Sequence, residues 1–196
     1  MFDERTIKEI MAAARELGVE PAALLAVAEV ESNGQAFALI DGRREPLIRF
    51  EGHYFDRNLP QSKRAAAREQ GLSSPRAGAV ANPRTQAGRW KLLERAVAID
   101  RRAALESVSW GIGQVRGVHW ARLQYAGVEN LAEEVRKNVA GQVRVMARFI
   151  EHFGLSAALQ VHDWTTFARR YNGPNFRRYG YDSKLAKAYA RHGVIR

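Results

Sequence analysis

The chain has no cysteine among its 196 residues, which excludes disulfides, a thiolate metal site and a cysteine nucleophile and leaves packing to supply its stability. Long apolar runs are missing too. No stretch reaches membrane-spanning length, and the N-terminus lacks the charged head, apolar core and cleavage site of a signal peptide, so a soluble chain made in the cytoplasm is expected. The five histidines do not fall at zinc-binding spacing, His152 and His162 included, and no metal is expected. Acids are scarce, 21 against 31 Lys and Arg, and the net charge of +10 implies attraction to a polyanion: nucleic acid, an anionic membrane surface or an acidic wall polymer. Arginines occur along the whole chain, without zinc-finger spacing or an aromatic-rich RNA-binding strand, so specific nucleic-acid binding is not expected.

What is present fits one globular domain over residues 1–196, 46% hydrophobic, with no repeat, low-complexity tract or linker to a second module, and expected to be a monomer. Most of it reads as helix. Ile7, Ile10, Met11, Ala14 and Leu17 form one stripe that stops at Gly18, and Pro21 opens a second, strongly apolar helix. From Phe37 to Phe50 the pattern is that of a hairpin, with a turn at Asp41-Gly42-Arg43-Arg44 and a second strand on which Ile48 and Phe50 share one face and Leu47, Arg49 and Glu51 the other. Pro60 to Gly88 reads as a polar, basic excursion with one short helix near Lys63–Glu69, either facing solvent or closing as a mobile lobe. Helices follow around Trp90–Val97 and from Asp100 to Ser107. The longest helix is predicted from Asn130, with Glu133 completing a capping box, through to Gly154, as the central scaffold; Asp163 and Asp182 are predicted to cap two final helices.

The apolar second helix ends in Glu29-Val30-Glu31-Ser32-Asn33-Gly34. At about 100° per residue Glu31 falls near the face of Leu24, Val27 and Ala28, whereas Glu29 points away. Burial and the negative end of the helix dipole both disfavour a carboxylate's charge, so the Glu31 pKa should rise toward neutrality, where it can donate a proton. The opposing possibility is a helix end in solvent with Asn33 or Gly34 as left-handed cap. Two later segments are similarly polar and glycine-rich: Ser109-Trp110-Gly111-Ile112-Gly113-Gln114 and Tyr171-Asn172-Gly173-Pro174-Asn175-Phe176. Their side chains are those that stack on sugar faces and hydrogen-bond hydroxyl and acetamido groups; equally, Trp110 and Tyr171 could be core aromatics and the glycines turns.

In this order the segments resemble the lysozyme superfamily in its goose-type and lytic transglycosylase branch, and more closely the N-acetylmuramidase family found in phage endolysins. The matching motifs are Val30-Glu31-Ser32-Asn33-Gly34, Phe50-Glu51-Gly52-His53-Tyr54-Phe55, Ser109 to Gln114, and Tyr171-Asn172-Gly173-Pro174. After Gln114 the chain departs from the pattern, with Val115-Arg116-Gly117-Val118-His119 where a more apolar stretch is usual. The resemblance implies a mainly α, lysozyme-like (α+β) fold with a small β-hairpin lobe, no cofactor, and cleavage of the β-1,4 bond between N-acetylmuramic acid and N-acetylglucosamine in peptidoglycan. It assigns Glu31 as general acid; for a second carboxylate, activating water or attacking the sugar, Glu51 is the candidate, since its strand follows the Glu31 helix and alternation can turn it from the Ile48/Phe50 face, although Glu51 could equally be a structural ion pair. His53 is expected under the hairpin and Glu106 on a helix surface. Ser32, Gly34, Ser109, Trp110, Gly111, Gln114, Tyr171 and Asn172 are the implied glycan-binding residues. The implied role is an endolysin, a glycoside hydrolase waiting in the host cytoplasm until a membrane lesion admits it to the wall, its basic residues favouring anionic wall or outer-membrane surfaces. A lytic transglycosylase, or a non-catalytic wall- or nucleic-acid-binding domain, are the alternatives.

Overall fold

The computed structural model describes residues 1–193. Its helices pack as two apolar clusters, and the small β region gives its buried side chains to the second. The first cluster is built by α1 (Glu4–Glu16), α2 (Pro21–Ser32), α8 (Val139–His152), α9 (Ser156–Gln160), α10 (Trp164–Tyr171) and α11 (Tyr181–His192). Asp3 caps α1 through the Thr6 N–H, and Leu17, expected on the buried stripe, is instead an exposed C-cap. Every residue from Ala23 to Ala28 is buried, so α2 is enclosed on all sides by α1, α11 and their neighbours. This short helix, rather than the long one predicted downstream, runs through the middle of the cluster.

The second cluster gathers the strands with α3 (Gly52–Asn58), α4 (Gln61–Glu69), α5 (Gln86–Ile99), α6 (Arg101–Glu106) and α7 (Val128–Lys137). The predicted hairpin is real but tighter than read. β1 (Phe37–Ile40) pairs with β2 (Arg43–Pro46) across Asp41-Gly42 alone, both at positive φ, which is the two-residue turn that an Asp-Gly pair favours. Ile48–Phe50 is not part of it. That segment is a separate strand, β3, which pairs with β4 (Val108–Trp110), itself paired with β5 (Val115–Arg116). Ile48 and Phe50 are fully buried and Arg49 exposed, as alternation requires.

The polar stretch before α5 is neither solvent loop nor detached lobe. Asn82 accepts from the Phe50 N–H and donates to its carbonyl, Gln86 accepts from the Ile48 N–H, and Arg89 donates to the Ile48 carbonyl, so side chains take the place of a missing neighbour strand along the free edge of β3. The long helix predicted from Asn130 is two helices. Asn138 is fully extended (φ −169°, ψ −179°), ends α7 and caps α8 through the Gly141 N–H, while α7 starts at Val128 without the expected capping box. Asp100 and Asp163 cap α6 and α10 as read, but Asp182 lies inside the first turn of α11 behind Gly180. Among the described residues no helix is long and apolar enough to cross a membrane.

Candidate active site

Glu31 stands in the last turn of α2, which ends because Asn33 (φ 54°) and Gly34 (φ 71°) turn left-handed. The residue is only partly exposed, and its carboxylate accepts a hydrogen bond from the Asn172 side-chain amide at 2.6 Å. Burial raises its pKa from 4.5 to about 7; the Asn172 hydrogen bond and the charge of Lys184 pull the other way without prevailing. Glu29, two residues earlier, shows what decides this. Its side chain is 12% exposed, not turned clear of the fold as the helical projection implied, and burial would raise it as well. Arg191 and His192 both hydrogen-bond it at 2.5 Å, however, and hold its pKa below the ordinary value. Glu29 has cationic partners, whereas among the described residues the only side chain bonded to Glu31 is a neutral amide.

The three polar segments meet here. Asn172 closes α10 and reaches Glu31, while its neighbour Tyr171 donates its hydroxyl to the Gly113 carbonyl at 2.6 Å. Burial, with the negative charge of Glu31, pushes the Tyr171 hydroxyl far above its usual range, so it serves as a neutral donor. The Asn172 side-chain oxygen is buried and has no partner among the described residues, an acceptor on the same amide that holds the acid. Gln114, at positive φ, folds its amide back onto the Gly111 carbonyl and lines a cleft of about 530 Å³ together with Glu31, Ser32, Asn33 and Gln35. The opposite wall is Leu47 and the start of α5, with Arg84, Thr85, Gln86 and Arg89.

Several expected glycan contacts are placed elsewhere. Trp110 is 1% exposed, packs edge-on against Trp90 at 5.9 Å and donates to the Leu105 carbonyl, so it is a core aromatic with no face left for a sugar. Gly111 serves close packing: at φ +63°, a side chain there would come within 2.8 Å of Val135. Gly34 meets the Met1 backbone in the same way, and the Ser32 hydroxyl donates to the Ala28 carbonyl within its own helix. Ser109 is partly exposed on β4 opposite Arg49 and Arg116. Arg116, where the chain departs from the family pattern, lies over the Tyr54 ring at 3.9 Å.

Glu51 does not enter the Glu31 cleft. It follows β3, its carbonyl accepts the first N–H bonds of α3, and its carboxylate is held by Arg49 at 2.7 Å and lies 3.6 Å from His53. Of the residues that line the cleft, Glu31 is the one carboxylate. Glu106, read as helix surface, is half-buried and accepts from Trp120 and Arg102. Sequence reasoning missed Gln142, which is 2% exposed inside α8; it accepts from the Ile112 N–H and donates to the Ala36 carbonyl, clasping the segments after α2 and β4 to one helix. It also missed the α5 wall. A polar residue on the apolar face of α8 was the available signal for Gln142; Arg84, Gln86 and Arg89 stand in no motif.

A helical, lysozyme-like fold with a glutamic acid whose pKa is raised to about 7 in a polar cleft defines a class of glycan-cleaving enzymes. The chain belongs to the N-acetylmuramidase family, whose model matches residues 20–193, and it is therefore a peptidoglycan-degrading enzyme. It is similar to the crystal structure of Burkholderia AP3 phage endolysin, with 34% identity over 96% of this chain and 71% of that chain, and a TM-score of 0.80. No curated protein matches it.

Proposed function

We propose that the protein is an endolysin that hydrolyses the β-1,4 bond between N-acetylmuramic acid and N-acetylglucosamine, with Glu31 as the general acid. The observation that carries this reading is the Glu31 pKa of about 7, set by burial that outweighs the Asn172 hydrogen bond and the charge of Lys184. Near neutral pH such a group is protonated often enough to donate and ionised easily enough to give its proton up. It protonates the glycosidic oxygen as the bond to the muramic carbon breaks; water adds to that carbon, and the proton it releases restores the acid. The unpaired Asn172 oxygen is placed to accept a hydrogen bond from that water or from an acetamido N–H.

Glu51, fastened to Arg49 outside the cleft, is a weaker choice for the second catalytic group than the sequence suggested. That observation favours a second reading. A lytic transglycosylase needs one carboxylate, because the sugar's own hydroxyl attacks and leaves a 1,6-anhydro end. Mass spectrometry of digested peptidoglycan separates the two, hydrolysis giving reducing muramic ends. A Glu31→Gln protein that still solubilised cell walls at the wild-type rate would remove the acid assignment under either reading. We place its action at the wall after membrane permeabilisation, where the excess of basic residues favours anionic surfaces.

A further inference from the structure

Basic residues are spread along the chain, but acids are not. Between Trp164 and Gly193 seven Lys and Arg stand against one acid, Asp182, so this stretch holds six of the ten net charges. Arg170 is occupied by the carbonyls of Phe153 and Gly154, and Arg191 by Glu29. Arg177 and Arg178 are different. Both are exposed, their guanidinium groups lie 5.6 Å and 5.9 Å from the rings of Phe176 and Tyr179, and neither is paired with a carboxylate among the described residues.

The segment presenting them is fixed at both ends beside the acid. It leaves from Asn172, whose amide holds Glu31, and returns at Tyr181 and Lys184, whose charge acts on Glu31. In between, Phe176 is buried in the first cluster, its N–H bonds the Gly173 carbonyl, its own carbonyl accepts from Tyr181, and Gly180 bonds Arg177. The two arginines are thus carried, exposed, on a short segment anchored at both ends beside the acid. Across the cleft the α5 wall adds Arg84 and Arg89.

A bare glycan strand offers hydroxyl and acetamido groups and needs no such charge. Muramic acid, however, carries a lactyl ether extended by a short peptide rich in carboxylates, and planar guanidiniums pair with carboxylates two bonds at a time. We infer that Arg177 and Arg178 form a recognition site for the carboxylates of the peptide stem, so that the enzyme selects stem-bearing glycan over bare glycan. This rests on the muramidase reading above.

The test compares kcat/KM on soluble glycan strands that carry stems with the same strands stripped by an amidase, fragments being followed by chromatography. The wild-type protein should prefer stem-bearing strands by roughly tenfold, the scale of a charge-assisted contact at a half-exposed site. Arg177→Gln with Arg178→Gln should bring that ratio to near one, and Arg177→Lys with Arg178→Lys should keep most of it. Lys8→Gln with Arg15→Gln removes the same charge from exposed positions on α1 and should leave the ratio as it was. A wild-type ratio near one, or an equal collapse in the α1 variant, overturns the inference. So does an unchanged ratio in the glutamine pair together with lost binding to phosphatidylglycerol vesicles, which would assign the arginines to a membrane surface. If wild-type protein cleaves neither strand, the muramidase reading itself fails; if it cleaves both equally, only the stem site does.

Discussion

Replacing Glu31 by glutamine should stabilise the fold above neutral pH while removing the proposed acid, and the size of the gain follows from the site. In the folded protein Glu31 keeps its proton up to about pH 7, whereas its ordinary value is 4.5. Between those values the folded state binds more protons than the unfolded one, so stability falls as pH rises through that window and stays low above it. At ~1.4 kcal/mol per pH unit the buried charge costs about 3 kcal/mol at alkaline pH. Glutamine has nearly the same shape, is neutral throughout and still offers an oxygen to Asn172. Glu31→Gln should therefore match the wild type at about pH 4 and exceed it by up to about 3 kcal/mol at about pH 8, which is roughly 6–12 °C in Tm for a chain of this size. Urea denaturation across that pH range measures the difference directly. An advantage equally large at both pH values, or a loss of stability at the alkaline end, would refute the buried-acid argument.

Asn172→Ala removes a hydrogen bond that favours the charged form of Glu31, so its pKa rises and the alkaline limb of the pH–rate profile should move up by about one pH unit. A limb that moved down, or stayed in place, would mean that Asn172 does not act through Glu31. Trp110→Ala should cost about 3–5 kcal/mol in urea denaturation, as the loss of a fully buried aromatic does. Unchanged stability with weakened glycan binding would instead restore Trp110 to the sugar-stacking role that its motif suggested.

The site was legible in the sequence where one local rule governed the outcome. Pro21, the apolar run behind it and the Asn33-Gly34 stop placed Glu31 at a buried helix end, and the motif order brought Asn172 and Tyr171 to the same place. What was misread depended on partners distant in the chain. Helical projection separated Glu29 from Glu31, but α2 is enclosed on every side, and the two carboxylates differ in who answers them: Arg191 and His192 in one case, Asn172 in the other. The apolar rhythm ran unbroken across Asn138, because α7 and α8 bury faces of the same period; only the extended backbone of Asn138, satisfied by its own capping side chain, divides them. Strand β3 likewise continued the hairpin's alternation while pairing with β4, some 60 residues on. Trp110 sat in a motif rich in sugar-binding residue types, and its burial is set by Trp90 and Leu105, which the motif does not contain.

The division between the two clusters bears on how the acid works. Glu31, Asn172 and Tyr171 belong to the side of the first cluster, whereas Gln86 and Arg89 open α5 in the second and Arg84 stands just before it, so the cleft lies along the seam between the two. A seam at an acid that must stay desolvated has to be held at fixed width, since water entering behind the carboxylate would lower its pKa and with it the fraction able to donate. Two side chains fix the acid's own side of that seam. Gln142 ties α8 to both the Ala36 carbonyl, just beyond α2, and the Ile112 N–H, just beyond β4. The Tyr171 hydroxyl adds a second tie from α10 to Gly113 in the same turn. Each is neutral, so neither adds a charge that would counter the burial of Glu31, and each is a bond whose loss would leave a buried polar atom unpaired. The glycine-rich turn between Trp110 and Gln114 is accordingly fastened to the acid's side of the cleft through its backbone: the Ile112 N–H donates to Gln142 and the Gly113 carbonyl accepts from Tyr171.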